Sequence, residues 1–162
     1  MRILLFGLAL YLIPAAQAQL TPPAPKSIVG ARHPALSPDG KRLAFVYRGD
    51  IWLADSKGGR ARPLTFHLEY DAYPVFSPDG HWIAFGSKRY GGWDIFVIPA
   101  EGGKARRLTW HSGHEIPFGW SPDGQHIAFG ARRDSPSYCL MSVDVATYKS
   151  KVLVEDYAAL RY

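Results

Sequence analysis

The tetrapeptide Ser-Pro-Asp-Gly occurs three times, at Ser37–Gly40, Ser77–Gly80 and Ser121–Gly124. Each copy is followed, two residues later, by a triplet of an apolar residue, Ala and Phe. In such a turn Pro fixes φ, Asp accepts hydrogen bonds from the following amides, and Gly takes the positive φ that other residues avoid. The motif therefore predicts a tight turn that leads into a β-strand, and the chain is a repeat protein.

The second repeat has the most complete set of predicted strands. Tyr73–Phe76 is an apolar opening strand, and 81–85 returns after the turn with side chains alternating between two faces. Residues 94–98 form a third strand and 106–109 an outer strand, joined by a Gly-Gly hairpin. The first repeat carries the same parts, whereas the third replaces the Gly-Gly hairpin with 146–149.

The spacing of the repeats predicts the architecture. A period of about 40 to 45 residues built from short strands is typical of β-propeller blades. We expect an all-β, partial β-propeller over 33–162, made of about three four-stranded antiparallel blades. The predicted blades are 33–66, 67–110 and 111–155, with the start of a further blade at 156–162. Because closed propellers use about 4 to 8 blades, we expect either a piece of a longer protein or an obligate oligomer of half-propellers.

The N-terminus has the pattern of a secretory signal peptide over residues 1–18. Arg2 gives a short basic region, 3–13 is apolar, and 16–18 is a small-x-small cleavage site. A membrane span needs about 20 apolar residues, so the alternative of an N-terminal anchor is less favoured. Residues 19–32 are then a linker and lead-in strand, and the mature protein is periplasmic or secreted with no stable membrane anchor.

Charge and cysteine content argue against a nucleic-acid-binding protein and against a disulfide-stabilised fold. The formal net charge is +5, and the basic residues are scattered instead of forming a run, which argues against nucleic-acid binding. Cys139 is the only cysteine, so no internal disulfide is possible and packing must hold the fold together.

The sequence shows no convincing catalytic or cofactor motif. Ser37, Ser77 and Ser121 lack the Gly-x-Ser-x-Gly setting of an exposed nucleophile, and turn chemistry explains them. The segment 111–115, with two histidines and a glutamate, has metal-ligand residue types but not the helical spacing of a zinc motif. We therefore predict no catalytic residue, no metal and no cofactor in this chain.

The repeat also resembles a known family. The pattern of 73–85, followed by Asp94-Ile95-Phe96, Gly102-Gly103 and Leu108-Thr109, resembles the TolB-type, WD-like propeller repeat of bacterial envelope proteins. Because the propeller follows the signal peptide directly, the chain is most similar to the N-terminal propeller of bacterial tricorn-type serine peptidases. In that family a second propeller, a PDZ-like domain and a peptidase domain follow, and the peptidase domain holds the catalytic residues. The resemblance implies a role in substrate access or docking and assigns no catalytic residue here.

Topology predicts where a partner would bind. The connections of a four-stranded meander alternate between two rims, and the longer connections share one of them. Aromatic and charged side chains on loops of a rigid scaffold commonly form binding sites. The ligand-binding candidates on this rim are Tyr70, Asp71, Tyr73, Arg89, Tyr90, Trp93, His111, His114, Glu115 and Arg132. The competing interpretation is that Asp71 and Glu115 tie adjacent blades together, while Tyr73 and Trp93 are interior packing.

The expected function is that of a non-catalytic module that binds a peptide or protein, as the N-terminal part of a secreted or periplasmic tricorn-like serine peptidase. Its other partners would be the remaining propeller blades, supplied by the same chain or by another copy. One alternative is a TolB-like envelope interaction module without catalysis. The other is a sugar-binding half-propeller that oligomerises.

Overall fold

The computed structural model describes residues 26–133 and 139–154. The predicted signal peptide and the predicted start of a further blade lie outside these residues. All regular elements in the described part are β-strands, and that part contains no helix long and apolar enough to cross a membrane.

The strands form three antiparallel four-stranded sheets, each a simple meander in chain order. The first sheet contains β1 (Arg32–Leu36), β2 (Arg42–Tyr47), β3 (Asp50–Asp55) and β4 (Arg62–Pro63). The middle sheet contains β5 (Asp71–Phe76), β6 (Trp82–Tyr90), β7 (Gly92–Pro99) and β8 (Arg106–Arg107). The third sheet contains β9 (His114–Trp120), β10 (His126–Arg132), β11 (Cys139–Asp144) and β12 (Ser150–Val154).

The middle sheet is buried on both faces by its two neighbours. Phe85 and Phe96 belong to one core cluster with the apolar residues of β2 and β3. Ala84 and Val97, which alternate with them along the same strands, belong to a second cluster with the third sheet. The opening strands also meet, since β1 contacts β5 and β5 contacts β9. Consecutive sheets stacked through their opening strands are the arrangement expected of neighbouring propeller blades, so the all-β prediction with three four-stranded sheets is confirmed.

Each Ser-Pro-Asp-Gly turn is locked by the same hydrogen bonds. The serine hydroxyl donates to the aspartate Oδ1 at 2.6, 2.5 and 2.5 Å in the first, second and third copy. The serine Oγ then accepts the amide of the residue that starts the returning strand, at 2.9 Å in every copy. The turn glycines have φ of 69°, 71° and 69°, a backbone conformation that residues with a Cβ rarely adopt. The sequence motif therefore contains the whole turn, and each of its serine hydroxyls is used in the hydrogen bonds that stabilise it.

The outer strands β4 and β8 are shorter than the sequence predicts. The 106–109 segment contributes only two residues to the ladder. Leu108 N still donates to Ile95 O at 2.8 Å, but the return bond from the Ile95 amide goes to a side chain. Thr109 Oγ1 accepts the amide of Ile95 at 2.9 Å, and Thr65 Oγ1 accepts that of Ile51 at the same distance. The Leu-Thr dipeptide of the repeat thus ends the outer strand and starts the connection to the next sheet.

We predict that Ser77→Ala lowers the free energy of unfolding by about 1 to 3 kcal/mol, because it leaves the Trp82 amide without its acceptor in a buried turn. Ser121→Ala should cost less, since its hydroxyl bond to Asp123 is exposed. Urea unfolding of the purified chain measures both changes. Equal effects at the two turns would contradict the role assigned to burial.

The turn carboxylates give a prediction about pH. The serine hydroxyl, and then the backbone amide of His81, hold the pKa of Asp79 below its ordinary value, and Asp39 and Asp123 are lowered in the same way. A lowered folded-state pKa contributes stability that is fully present above the unfolded pKa of about 4 and is lost as pH falls through the folded value. The stability difference between wild type and Asp79→Asn should therefore shrink between pH 6 and pH 3 in urea titrations. A difference independent of pH would show that the charge of Asp79 does not matter.

Candidate functional site

The long connections form one surface, which we call the loop rim: connections 64–70 and 108–113 and the hairpin turn 88–91. The hairpin lies between the other two. Lys88 N donates to Tyr70 O at 3.0 Å, and a Cβ on Gly92 would lie 3.0 Å from Ser112 O. The Ser-Pro-Asp-Gly and Gly-Gly turns lie together at the opposite rim, where Ala100 N donates to His81 O at 2.8 Å.

Two of the candidate carboxylates lie beneath the loop rim in buried ion pairs. Arg89 Nη2 donates to Asp71 Oδ2 at 2.7 Å, and Arg133 Nη2 lies 2.7 Å from Glu115 Oε1. Both carboxylates are fully buried, and each keeps one oxygen without a hydrogen-bond partner among the described residues. The first pair joins β5 to β6 of the middle sheet. The second joins β9 to Arg133, the residue that follows β10 in the third sheet. Each side-chain pair lies within one repeat, whereas the backbone amide of Asp71 donates to Gly49 O of the first repeat at 2.7 Å and so links the first two blades.

A third buried carboxylate begins β7. Asp94 Oδ2 lies 2.9 Å from Arg107 Nη2, and Arg107 Nε donates to Thr109 O at 2.7 Å. Burial raises the pKa of Asp94 above its ordinary value, and Arg107 partly opposes that shift. Asp50 occupies the same repeat position in the first sheet, where its Oδ1 accepts His67 N at 3.0 Å. Burial also raises the pKa of Asp50.

Trp93 is the centre of an aromatic cluster inside the loop rim. Its ring meets Tyr70 and Tyr73 edge-on, with centroids 6.1 and 5.5 Å away. Tyr73 in turn lies 4.3 Å from the His33 ring, between centroids, and so links β5 to β1. His33 and Tyr73 occupy the same repeat position, and both have positive φ, 49° and 57°, at a bulge of their strand. Trp93 is buried, so it supports Tyr70 from behind.

The candidates from the third repeat other than Glu115 are more exposed. His114 and Arg132 are exposed partners in the β9 and β10 ladder. His111 is half-buried, and its Nδ1 accepts the amide of Gly113 at 3.0 Å, as His67 accepts that of Glu69. This bond gives the repeated histidine a structural role in its loop. Among the described residues no three His, Cys, Asp or Glu side chains are placed to share a metal ion.

The most exposed apolar side chains of the loop rim were not among the candidates from sequence. Phe66 is 94% exposed, Leu68 is fully exposed, and Trp110 is 60% exposed; of the predicted aromatics, Tyr90 is 65% exposed. Phe66 and Trp110 occupy the same repeat position, after Leu-Thr and before His. The sequence signal that could have identified them is this large aromatic residue at the start of the loop in both repeats.

Three stacked blades with an aromatic loop rim define a β-propeller module. Residues 29–160 match the family described as the tricorn protease N-terminal beta propeller domain, and the chain belongs to that family. Tricorn protease homolog 2 of Streptomyces coelicolor is 48% identical over 59 residues, which is 36% of this chain and 5% of that protein. The predicted resemblance to TolB-like and tricorn propellers is therefore confirmed.

Solved structures give the same result. A TolB structure from Agrobacterium tumefaciens has a TM-score of 0.70 at 25% identity, over 80% of this chain and 50% of that one. The tricorn protease has a TM-score of 0.58 at 27% identity, over 70% of this chain and 12% of that one. The chain thus spans between a twentieth and a half of the length of these proteins.

We predict that Arg89→Met destabilises the fold by about 3 to 5 kcal/mol, because it leaves the Asp71 carboxylate buried without its partner. Asp71→Leu combined with Arg89→Met should recover most of that loss, since the methionine keeps the packing that Arg89 makes over Phe85 and Phe96. Denaturant unfolding of the three proteins tests this. A double variant as unstable as the single one would mean that the pair is not the cause.

Proposed function

We propose that this chain is the non-catalytic, peptide- or protein-binding propeller part of a secreted or periplasmic tricorn-like serine peptidase. Membership of the tricorn N-terminal propeller family supports the peptidase parent. The observation that carries the binding role is the exposure of Phe66 and Leu68, which make one connection of the loop rim strongly apolar. Exposed apolar groups on loops of a rigid scaffold favour contact with another chain.

The loop rim is suited to an extended peptide. Tyr70 and Tyr90 offer rings with a polar tip, and His114 and Arg132 add polar groups at the third sheet. Such side chains supply contact area together with hydrogen bonds to backbone groups of a partner. Asp71, Glu115 and Arg89 would act indirectly by holding the strands beneath the loops, and Trp93 by supporting Tyr70. In this proposal the exposed members of the candidate set touch the ligand and the buried members position them.

Further blades are the second partner in the proposal. Phe45 and Trp52 alternate with the residues of the first sheet that pack on the middle sheet, and with Tyr47 they line a cavity of about 790 Å³. Trp52 Nε1 is buried without an acceptor among the described residues. Their repeat equivalents Phe85 and Phe96 are covered by a neighbouring sheet. Phe45 is already buried, and we expect another blade, from the same protein or a second copy, to cover the half-buried Tyr47 and Trp52.

A TolB-like envelope module without catalysis is the second candidate, favoured by the superposition over 80% of the chain. The reading frame beyond Tyr162 separates the two candidates. Continuation into further repeats and a peptidase domain is expected for the tricorn-like parent. A stop codon directly after Tyr162 would contradict that parent and leave the TolB-like role.

The binding role predicts that Phe66→Ala with Leu68→Ala weakens peptide binding at least about tenfold, since each buried apolar side chain contributes about 1.5 to 3 kcal/mol. The probe is a rhodamine-labelled neutral peptide, Ser-Leu-Phe-Ser-Leu-Phe-Ser amide, measured by fluorescence anisotropy. Val29→Ala, 82% exposed but outside the loop rim, is the control and should change nothing. Because the two rim side chains are so exposed, stability should stay unchanged. Undiminished binding by the double variant would contradict the proposal that the loop rim binds the peptide.

A further inference from the structure

A cavity of about 840 Å³ lies along the outer strand of the middle sheet, and we call it the flank cavity. Its lining residues come from β8 and its hairpin, from the loop rim and from the third sheet. They are His67, Arg89, Tyr90, Phe96, Lys104, Ala105, Arg106, Arg107, Trp110 and Tyr148. None of the described residues that line it carries a carboxylate.

The cations of the flank cavity fall into two classes. Arg89 and Arg107 are neutralised from behind by the buried carboxylates Asp71 and Asp94. Lys104 and Arg106 are exposed and have no carboxylate partner within 26–133 and 139–154. Arg106 instead donates to Tyr148 Oη at 3.4 Å and lies over the Tyr148 ring. Two positive charges of the cavity therefore remain available to an anionic ligand.

Aromatic rings lie beside these charges. The Arg107 guanidinium is 4.3 Å from the centroid of Tyr90 and 5.7 Å from that of Trp110. Trp110 meets Tyr148 edge-on with centroids 5.8 Å apart. Although these contacts fix the rings in place, Tyr90 and Trp110 stay largely exposed. A ligand here would meet fixed apolar surface within reach of Lys104 and Arg106.

The first sheet provides an internal comparison. Its corresponding cavity, about 590 Å³, contains Arg60 and Arg62 at the repeat positions of Lys104 and Arg106. That cavity also contains Asp55 and Glu101, and Glu101 lies 3.0 Å from Arg42. Arg62 Nη2 donates a hydrogen bond to Ala100 O at 3.0 Å. Of the lining residues that the structure describes, this cavity thus contains carboxylates and no aromatic ring, whereas the flank cavity contains aromatic rings and no carboxylate.

We infer that the flank cavity is a second binding site, for an acidic peptide segment that carries an aromatic or aliphatic side chain. It adjoins the loop rim and shares His67 and Tyr90 with it, but Phe66 and Leu68 do not line it. The carboxylates of the segment pair with Lys104 and Arg106, and its apolar side chain packs on Trp110 and Tyr148. A peptide fits this surface better than a long polyanion, because two open cations flanked by rings match one or two carboxylates beside an apolar group. A polyanion is recognised through a longer basic track.

The test uses the rhodamine-labelled, amidated peptide Gly-Glu-Glu-Phe-Glu-Gly and fluorescence anisotropy on the full chain. Lys104→Ala with Arg106→Ala should weaken binding about tenfold, since each charge pair contributes up to about 1 kcal/mol and 1.4 kcal/mol is tenfold. The matched control, Arg60→Ala with Arg62→Ala in the first sheet, should change affinity by less than about twofold. Trp110→Ala should weaken binding at least about fivefold through the lost ring. Circular dichroism checks that each variant is folded, and Arg106→Gln replaces Arg106→Ala if packing against Tyr148 is needed.

The outcomes separate this site from the proposed rim site. Phe66→Ala with Leu68→Ala should leave the acidic peptide bound, so failure of one site does not imply failure of the other. Equal losses in the two matched double variants would overturn the assignment to the flank cavity. Equal binding of Gly-Lys-Lys-Phe-Lys-Gly would overturn the charge complementarity. Binding of tetragalacturonate in place of the acidic peptide would overturn the peptide class.

Discussion

Everything in this structure depends on the need of each four-stranded sheet to bury both of its faces. The middle sheet meets that need: Phe85 and Phe96 pack on one neighbour, and Ala84 and Val97 pack on the other. Small Ala84 and large Phe85 alternate along β6, so the two faces of the sheet present side chains of different size. With one cysteine in the chain, no covalent link can replace this packing. The loops owe their fixed positions to these sheets, because the hairpin 88–91 begins and ends on strands of the middle sheet, which is packed on both faces.

The buried ion pairs stabilise the strand ends from which the loops of the loop rim start. Carboxylates at the start of β5, β7 and β9 are withdrawn from water, which raises their energy unless a partner is supplied. Arg89, Arg107 and Arg133 supply it, and each arginine comes from the end of a strand or the residue after it. The pairs therefore join the ends of strands where the ladder bonds stop. Asp71, Arg89 and Glu115, which the sequence offers as ligand-binding candidates, are in the structure part of what orders the loops.

The sequence predicted the sheets well and the binding surface less well, for a physical reason. Turn chemistry is local, so Ser77, Asp79 and Gly80 determine their hydrogen bonds without reference to the rest of the chain. Thr109 was placed inside a strand, because an alternating pattern does not show that a hydroxyl will replace a ladder bond. Exposure is a property of the packed molecule. Trp93 and Trp110 look alike in the sequence, yet one is buried under Tyr70 and the other faces solvent.

Differences between repeats are more informative about binding than the repeated positions themselves. A position that serves the fold is used in the same way in different blades, as the turn serines are in all three and the Leu-Thr dipeptide is in the first two. At the position of Arg107 the first sheet has Pro63, which cannot pair with a carboxylate, and there the loop amide of His67 binds Asp50 instead. Asp50 is only half-buried and has the His67 amide, whereas the fully buried Asp94 depends on Arg107 as its counter-charge. What Arg107 adds is a guanidinium between Tyr90 and Trp110 that holds two exposed rings in place beside open charge. Arg107 therefore serves the fold and the surface together, because the guanidinium that pairs with Asp94 also fixes the exposed rings of Tyr90 and Trp110.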